Sequence, residues 1–139
     1  MKGLLTNMAI VTKWDDSGKT RVLMEFETSW TWEELDAALE KTDNFLAEVE
    51  HQVDVIIDLE GSNIPGDFMK AAQRLLTDPA MGMRPNEGNR VVVGASDWMR
   101  KAYKTLSKAF SKQLDGREVL FASDVSQARG MLYSMRLGD

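Results

Sequence analysis

The stretch Val53-Asp54-Val55-Ile56-Ile57-Asp58-Leu59 constrains the fold of this chain more than any other. It is short, β-branched and apolar at positions that point to both sides of a strand, which is typical of a central strand in a covered sheet. Residues 60–66 then form a small polar turn. Pro65 suits the first turn of a helix, where its missing N–H costs no hydrogen bond. Because ligands and partners often meet an α/β sheet at such strand ends, this turn is the first place to look for function.

Length and composition fit one globular domain. The chain has 139 residues, of which 43% are hydrophobic and 28% are charged, and this length can bury a substantial core. The net charge of −5 argues against nucleic acid as the main partner, because phosphate binding draws on excess Lys and Arg. Cysteine is absent, which excludes disulfides and Cys-based zinc sites. No apolar run approaches the roughly 20 residues of a membrane span, so we expect a soluble cytoplasmic protein.

The first third of the chain predicts a hairpin and an acidic helix. Two β-type runs, 7–14 and 21–26, flank a polar turn in which Gly18 suits a left-handed conformation. Thr31 and Glu34 form a capping box that predicts a helix start. The helix has an apolar stripe on one face and acidic residues on the other, namely Glu33, Glu34, Asp36, Glu40, Asp43, Glu48 and Glu50. That acidic face is either a solvated surface or a docking surface.

The rest of the chain alternates helix-type and strand-type patterns. A helix that opens at Pro65 is predicted to stop at Asp78-Pro79, before a loop at 80–89. The later predicted elements are a strand at 90–95, a helix capped by Ser96 or Asp97, a strand at 118–121 and a helix capped by Ser123-Asp124. Residues 136–139 are expected to form a frayed end.

This order of elements, ββαβαβαβα, predicts the fold class. Strands separated by helices favour right-handed crossovers and parallel pairing, with antiparallel pairing only in the first hairpin. We therefore predict a single α/β domain over residues 1–139 with a core of about 7–135. Its sheet should be mixed but mostly parallel, with helices mainly on one face.

A basic stripe lies on the predicted helix after residue 96. Its members are Arg100, Lys104, Lys108 and Lys112, at strict four-residue spacing. Like charges at this spacing cost roughly 0.2–0.5 kcal/mol per pair, so the stripe does not stabilise the helix. It is either a solvated surface or a docking stripe for acidic groups.

The order of elements, the strand Val55-Ile56-Ile57-Asp58-Leu59 and the small-residue turn after it together resemble the STAS family. These are the anti-sigma-factor antagonist domains, which also occur on sulfate transporters and have lipid-binding relatives nearby in fold. The resemblance covers residues 7–132 and implies a non-catalytic regulatory module. In its phosphorylated members, a Ser or Thr directly before a glycine caps the next helix. Here Pro65 precedes Gly66, which implies loss of the usual phosphoswitch and leaves Ser62 as the candidate phosphoacceptor.

The sequence contains no recognisable catalytic set. His51 is the only histidine, and it lies before the central strand, at the end opposite Ser62. A Ser-His-acid site and a transition-metal site are therefore not predicted. The turn at 61–66 lacks the residues of a P-loop or a dinucleotide motif. We expect a protein that is not an enzyme and has no cofactor or metal; an enzyme with an unrecognised carboxylate site is the weakest alternative.

Two functions from different classes remain open. In the first, a regulatory protein or a second copy of the chain binds a "candidate edge", which consists of Asp58, Ser62, Asn63, Gly66, Ser96 and Asp97. The oppositely charged helices would steer that contact. In the second, a small ligand or lipid occupies an apolar pocket beneath the 80–89 loop, lined by Met69, Met81, Met83 and Trp98. A salt-sensitive complex would favour the first function, and a cavity would favour the second.

Overall fold

The computed structural model describes residues 9–66, 70, 85–109 and 119–138. Its strands are β1 (Ile10–Trp14), β2 (Arg21–Phe26), β3 (Val53–Asp58), β4 (Glu87–Val93) and β5 (Val119–Ala122). Its helices are α1 (Trp32–Ala47), α2 (Asp97–Ala109) and α3 (Val125–Gly138). Most of the predicted helix after Pro65 and half of the 80–89 loop lie outside the described residues.

The five described strands form one sheet in the order β1-β2-β3-β4-β5. β1 pairs with β2 in antiparallel orientation, and every later pair is parallel. This confirms a mixed, mostly parallel α/β sheet, and it confirms that the apolar run at 53–58 forms the central strand. A short turn permits antiparallel pairing, whereas a parallel pair needs a longer crossover, which explains where the orientation changes.

The turn between β1 and β2 is organised by one carboxylate. Asp16 accepts hydrogen bonds from the backbone N–H of Thr20 at 2.9 Å and of Arg21 at 3.0 Å, and from the Thr20 hydroxyl at 2.6 Å. Burial raises the pKa of Asp16, but these donors outweigh that effect and hold the pKa below its usual value. The left-handed residue is Lys19, with φ 56°, and not the predicted Gly18. The fixed bonds to Asp16 impose this conformation on a residue that carries a Cβ.

The start of α1 has the predicted capping box. The Glu34 N–H donates to the Thr31 hydroxyl at 3.1 Å, and the Thr31 N–H donates to the Glu34 carboxylate at 2.9 Å. Thr42 interrupts the apolar stripe of the helix without cost, because its buried hydroxyl donates to the Ala38 carbonyl at 2.9 Å.

Apolar side chains cover both faces of the sheet. On the front face, which α1 and α2 cover, Val22, Met24, Val53 and Val55 belong to a core with Leu46 and Met99. On the back face, α3 covers a second core formed by Leu23, Ile56, Val91, Val93, Ala122, Ala128 and Leu132. Two of the three described helices thus share one face, as the prediction of helices mainly on one side requires. The second core was not predicted, although the alternation of β3 and β4 produces it.

Two arginines attach α3 to the edge of the sheet at which β1 ends and the parallel strands begin. Arg129 donates to both oxygens of Asp15, at 2.9 and 2.6 Å, and Arg21 donates to the same carboxylate at 2.9 Å. Arg136 lies 3.3 Å from the Asp54 carboxylate and also donates to the carbonyls of Thr20 and Gln52. The predicted frayed end at residue 136 is therefore wrong, since the helix continues to Gly138.

The buried Asp54 explains an irregularity in the sheet. The register between β3 and β4 shifts between Val53 and Val55, and the Asn89 N–H there donates to the Asp54 carboxylate at 2.8 Å. A Cβ on Gly88 would overlap that carboxylate and the Gln52 amide. The Asp54 carboxylate is 1% exposed and therefore needs partners. The bulge and Gly88 together allow it to accept a hydrogen bond from a backbone N–H and to lie close to the Arg136 guanidinium.

Among the described residues, no helix combines the length and the apolar character needed to cross a bilayer.

The environment of Asp15 predicts how the free energy of unfolding depends on pH. Burial raises the pKa of Asp15, but the hydrogen bonds and charges of Arg129 and Arg21 outweigh it and hold the pKa below its usual value. The stabilisation is therefore fully present above the unfolded pKa, about 3.9, and is lost as the pH falls through the lower folded value. Asp15→Asn should cost about 1.5–3 kcal/mol at neutral pH and should flatten the acid side of the stability profile, measured by urea unfolding.

The exposed pair Lys13–Glu25 on the same hairpin provides the control, because its side chains are 54% and 45% exposed. Glu25→Gln should change the unfolding free energy by less than about 1 kcal/mol. An Asp15→Asn profile that runs parallel to the wild type below pH 4 would contradict the assignment.

Candidate functional site

The two turns of the candidate edge lie side by side at the carboxyl ends of β3 and β4. The Leu59 N–H donates to the Val93 carbonyl at 2.9 Å, and the Gly94 N–H donates to the Ala122 carbonyl at 3.2 Å. The parallel register that pairs Asp58 with Val93 sets this alignment. The structure thus places the segments after β3 and β4 next to each other.

Gly94 permits this close approach. Its φ is 79°, and a Cβ at this position would lie 2.8 Å from Glu60 Cα and 2.9 Å from Glu60 N. Both contacts are with backbone, which cannot swing away as a long side chain can. Gly61 has a similar φ of 77°, but a Cβ there would meet nothing within 4 Å.

The polar side chains of the turn after β3 mostly hold the turn itself. Asp58 accepts from the Glu60 N–H at 3.1 Å. The Ser62 hydroxyl lies within hydrogen-bonding distance of two backbone carbonyls at the end of β2, 2.5 Å from that of Glu27 and 3.1 Å from that of Phe26. Ser62 is half-buried, so a phosphate on its oxygen would have to break this link.

Four members of the candidate edge are exposed: Asn63, Gly66, Ser96 and Asp97. The Asn63 N–H donates to the Thr28 carbonyl at 2.9 Å, which leaves its side chain at the surface. His51 lies at the other end of β3, with Nε2 2.8 Å from the Lys19 carbonyl, and it takes no part in this edge.

The basic stripe is exposed in α2 at Arg100, Lys104 and Lys108, and Lys112 lies outside the described residues. The Arg100 guanidinium lies 5.3 Å from the centre of the Phe121 ring on β5. This contact directs the first cation of the stripe along the front face of the sheet.

A cavity of about 610 Å³ lies on the front face, between α1 and α2. The sheet contributes apolar side chains to it, and both helices add further apolar groups. Its apolar and aromatic lining residues are Phe26, Trp30, Trp32, Leu35, Ala37, Leu39, Ile57, Leu59, Ile64, Val92, Met99, Tyr103, Val119 and Phe121. We call this feature the front-face cavity.

An aromatic cluster forms one end of the front-face cavity. The rings of Phe26 and Trp30 pack edge to face with centroids 4.9 Å apart, and Trp30 and Trp32 pack in the same way at 5.1 Å. The Trp32 indole N–H donates to the Gly66 carbonyl at 2.7 Å. The Trp30 Nε1 is buried and has no hydrogen-bond partner.

The polar groups at the other end are largely paired with protein atoms. Glu87 and Arg90 form a salt bridge whose side chains are 5% and 25% exposed. The Tyr103 hydroxyl accepts from the Val119 N–H at 2.9 Å. The cavity therefore combines an apolar body with a Glu87–Arg90 salt bridge and a Tyr103 hydroxyl that already accepts a hydrogen bond. Within the described ranges, no group of three His, Asp or Glu side chains could hold a metal ion.

Comparison with known proteins gives no identification. No family model matches the chain, and no curated protein or solved structure matches it. The STAS resemblance stays a prediction from the sequence.

An apolar pocket was predicted from the sequence, but with different lining residues. Met69, Met81 and Met83 lie outside the described residues, and Trp98 is 51% exposed. The described walls come instead from α1, from the sheet and from Phe26, Trp30 and Trp32. The sequence places these three aromatic residues close together, from the end of β2 to the start of α1. Large rings at this spacing need a shared buried volume, so the spacing could have predicted the residues that line the cavity.

The two left-handed glycines allow a matched test of the edge geometry. Gly61→Ala should cost about 1 kcal/mol, because only the left-handed conformation is strained. Gly94→Ala should cost at least about 2–3 kcal/mol, because its Cβ also meets the Glu60 backbone. Urea unfolding of both variants measures the difference, and equal losses would show that the two turns are not in close contact.

Proposed function

We propose that this domain binds a small, largely apolar molecule in the front-face cavity. The observation that carries the proposal is a volume of about 610 Å³ with mostly apolar and aromatic walls. Ligand sites commonly have volumes of about 300–1,000 Å³ and few polar groups. The candidate edge, in contrast, uses much of its polar chemistry to hold its own turns.

The apolar walls set an expected range for affinity. A ligand that buries about 300 Å² of apolar surface gains roughly 7 kcal/mol at about 25 cal/mol per Å². Association costs about 4 kcal/mol or more. Apolar contact of this extent therefore leaves about 3 kcal/mol or less, which corresponds to dissociation constants of several millimolar or weaker, and tighter binding needs a larger buried area or a specific polar contact.

Mass spectrometry of protein purified from its own host tests for a resident ligand. Native spectra should contain a species heavier than the chain by a few hundred daltons, and denaturation should release that mass. Organic extraction followed by mass spectrometry would then identify the compound class. A gain of about 80 daltons that survives denaturation would instead indicate one phosphoryl group and would direct attention to Ser62.

Two alanines on α1 allow a matched test of the cavity. Ala37 and Ala47 are both exposed, but only Ala37 lines the cavity. Ala37→Phe should weaken binding of the neutral dye Nile red about tenfold, because the ring occupies ligand volume; such a loss corresponds to about 1.4 kcal/mol. Ala47→Phe should bind the dye as the wild type does.

Fluorescence titration measures the dye affinity, and urea unfolding checks that both variants stay within about 0.5 kcal/mol of the wild type, as is usual for surface substitutions. Equal dye binding by all three proteins, or no binding to the wild type, would contradict the proposal.

A regulatory protein-interaction module of the STAS-like kind is the second candidate function, and the charges on the two front helices favour it. Arg100, Lys104 and Lys108 are exposed on α2, whereas Glu33 and Glu40 are exposed on α1. The partner would be a regulatory protein or a second copy of the chain, in which the α2 stripe meets an acidic surface.

Sedimentation velocity tests this second function. Self-association should be stronger at about 50 mM salt than at about 500 mM, because salt screens exposed charges. Lys104→Glu should weaken the association, whereas Lys41→Glu, which reverses an exposed lysine on α1, should not. A monomer at both salt concentrations would exclude self-association.

A further inference from the structure

An ion pair lies on the front face of the sheet, among side chains that are mainly apolar. Arg90 is the sheet partner of Val55 on β3 and of Val119 on β5, and Val55 belongs to the front core. Residues that are partners across a sheet share a face, so the Arg90 side chain also points to the front, where it lines the front-face cavity. Glu87, which forms the ion pair with it, lines the same cavity.

Glu87 binds only one edge of the Arg90 guanidinium. Arg90 Nε and Nη2 donate to the two oxygens of the Glu87 carboxylate, and Nη1 donates to no group in the described part of the chain. In that same part, the buried side-chain nitrogens and oxygens that lack a partner belong to Thr12, Trp30 and Asp54. Arg90 Nη1 is therefore accessible, and its two N–H groups are free to donate.

Stability alone does not account for this ion pair. The Glu87 and Arg90 side chains are 5% and 25% exposed, so both groups have lost much of their hydration. A pair in such a place is often no more stabilising than apolar side chains of similar volume. A ligand cavity, however, needs a small number of polar groups that fix the orientation of the ligand. The doubly held guanidinium, with Nη1 accessible, provides such a group.

The ion pair and the aromatic cluster lie at opposite ends of the cavity. Glu87 and Val119 begin β4 and β5, whereas Phe26 ends β2. These strands run parallel in one sheet, so their first and last residues lie at opposite ends of the front face. Trp30 and Trp32 pack beside Phe26 and extend the apolar end. A molecule in the cavity thus has a charged donor at one end and aromatic rings at the other.

We infer that the ligand of the front-face cavity is an amphipathic molecule with an acceptor oxygen, of a carbonyl or a carboxylate group, that binds Arg90 Nη1–H. Its apolar part extends from there towards the aromatic cluster. The inference rests on the proposed function and adds the chemical class and the orientation of the ligand. A guanidinium has donors and no acceptor, so it selects an acceptor, and hydrogen bonds from a charged donor are stronger than those from a neutral one.

Three soluble probes and two double variants test the contact. 2-Octanone and octanoate share an apolar chain and carry the two kinds of acceptor, whereas ethylbenzene has no acceptor oxygen. Glu87→Met combined with Arg90→Met removes the ion pair without leaving one buried charge unpaired. Lys13→Met combined with Glu25→Met is the matched control, because it removes an exposed ion pair outside the cavity.

Affinities are measured by NMR titration, and urea unfolding checks that both double variants fold. Loss of the Glu87–Arg90 pair should weaken binding of 2-octanone, of octanoate or of both by about tenfold, because the charged donor is gone. It should not weaken ethylbenzene binding, and the control variant should bind all three probes as the wild type does. The oxygen-bearing probe that loses affinity identifies the head group as a neutral carbonyl or as a carboxylate.

The orientation is measured in the wild-type protein. Isotope-filtered NOE spectra of ¹³C-labelled protein with 2-octanone or octanoate report which protein protons lie near each end of the probe. Protons beside the polar group should give NOEs to Val119 and Tyr103, whose backbone N–H and hydroxyl are hydrogen-bonded to each other. The terminal methyl group should give NOEs to Ile57 and Leu59, two lining residues nearer to the aromatic end.

Each contrary result has a distinct meaning. If none of the three probes binds the wild type at millimolar concentrations, the cavity function fails and the inference fails with it. If the probes bind but loss of the ion pair weakens neither oxygen-bearing probe, cavity binding stands and the Arg90 contact is wrong. NOEs that place the polar end beside the aromatic cluster overturn the orientation. These wild-type spectra decide the inference even if the variant without the pair does not fold.

Discussion

The structure depends on the burial of β3 from both sides. Val53 and Val55 point to the front face and Ile56 points to the back, and all three are at most 2% exposed. A strand that is apolar on both faces is stable only between two layers. The back layer is closely packed, with Ala128 fully buried and Leu132 1% exposed, whereas the front layer contains the cavity between its two described helices. The two faces therefore differ in role: the back provides packing, and the front provides space.

Polar chemistry is concentrated at the two ends of the sheet and serves different purposes there. At the edge where β1 ends and the parallel strands begin, Arg129 and Arg136 neutralise the buried carboxylates of Asp15 and Asp54. Buried pairs of this kind add little net stability over apolar contacts, but they specify one arrangement, because removing either partner leaves an unpaired charge. At the carboxyl-terminal ends, Ser62 and Gly94 fix two turns against the strands beside them.

Local sequence patterns predicted the local structure well. The hairpin, the central strand and the Thr31–Glu34 capping box depend on residues close together in the chain, and the structure contains all three. The frayed end was wrong because Arg136 contacts Asp54, and no local pattern reports a pairing across most of the chain. Lys19 takes the left-handed position expected of Gly18 because the bonds to Asp16 override conformational preference. The residues that line the cavity were not predicted, because periodicity identifies which side chains face the interior but not which of them pack against each other.

The contact between Asp15 and Arg129 joins residues 114 positions apart. It connects the first described strand to the last described helix, so the order of synthesis affects how folding can finish. A nascent chain that has completed β1 to β4 already carries Leu23, Ile56, Val91 and Val93, the strand side chains that α3 later covers. Until α3 leaves the ribosome these side chains lack their cover, and long-range contacts form only after a large loss of chain entropy. The interval before α3 emerges is thus the period in which this domain is most exposed to aggregation and to capture by chaperones.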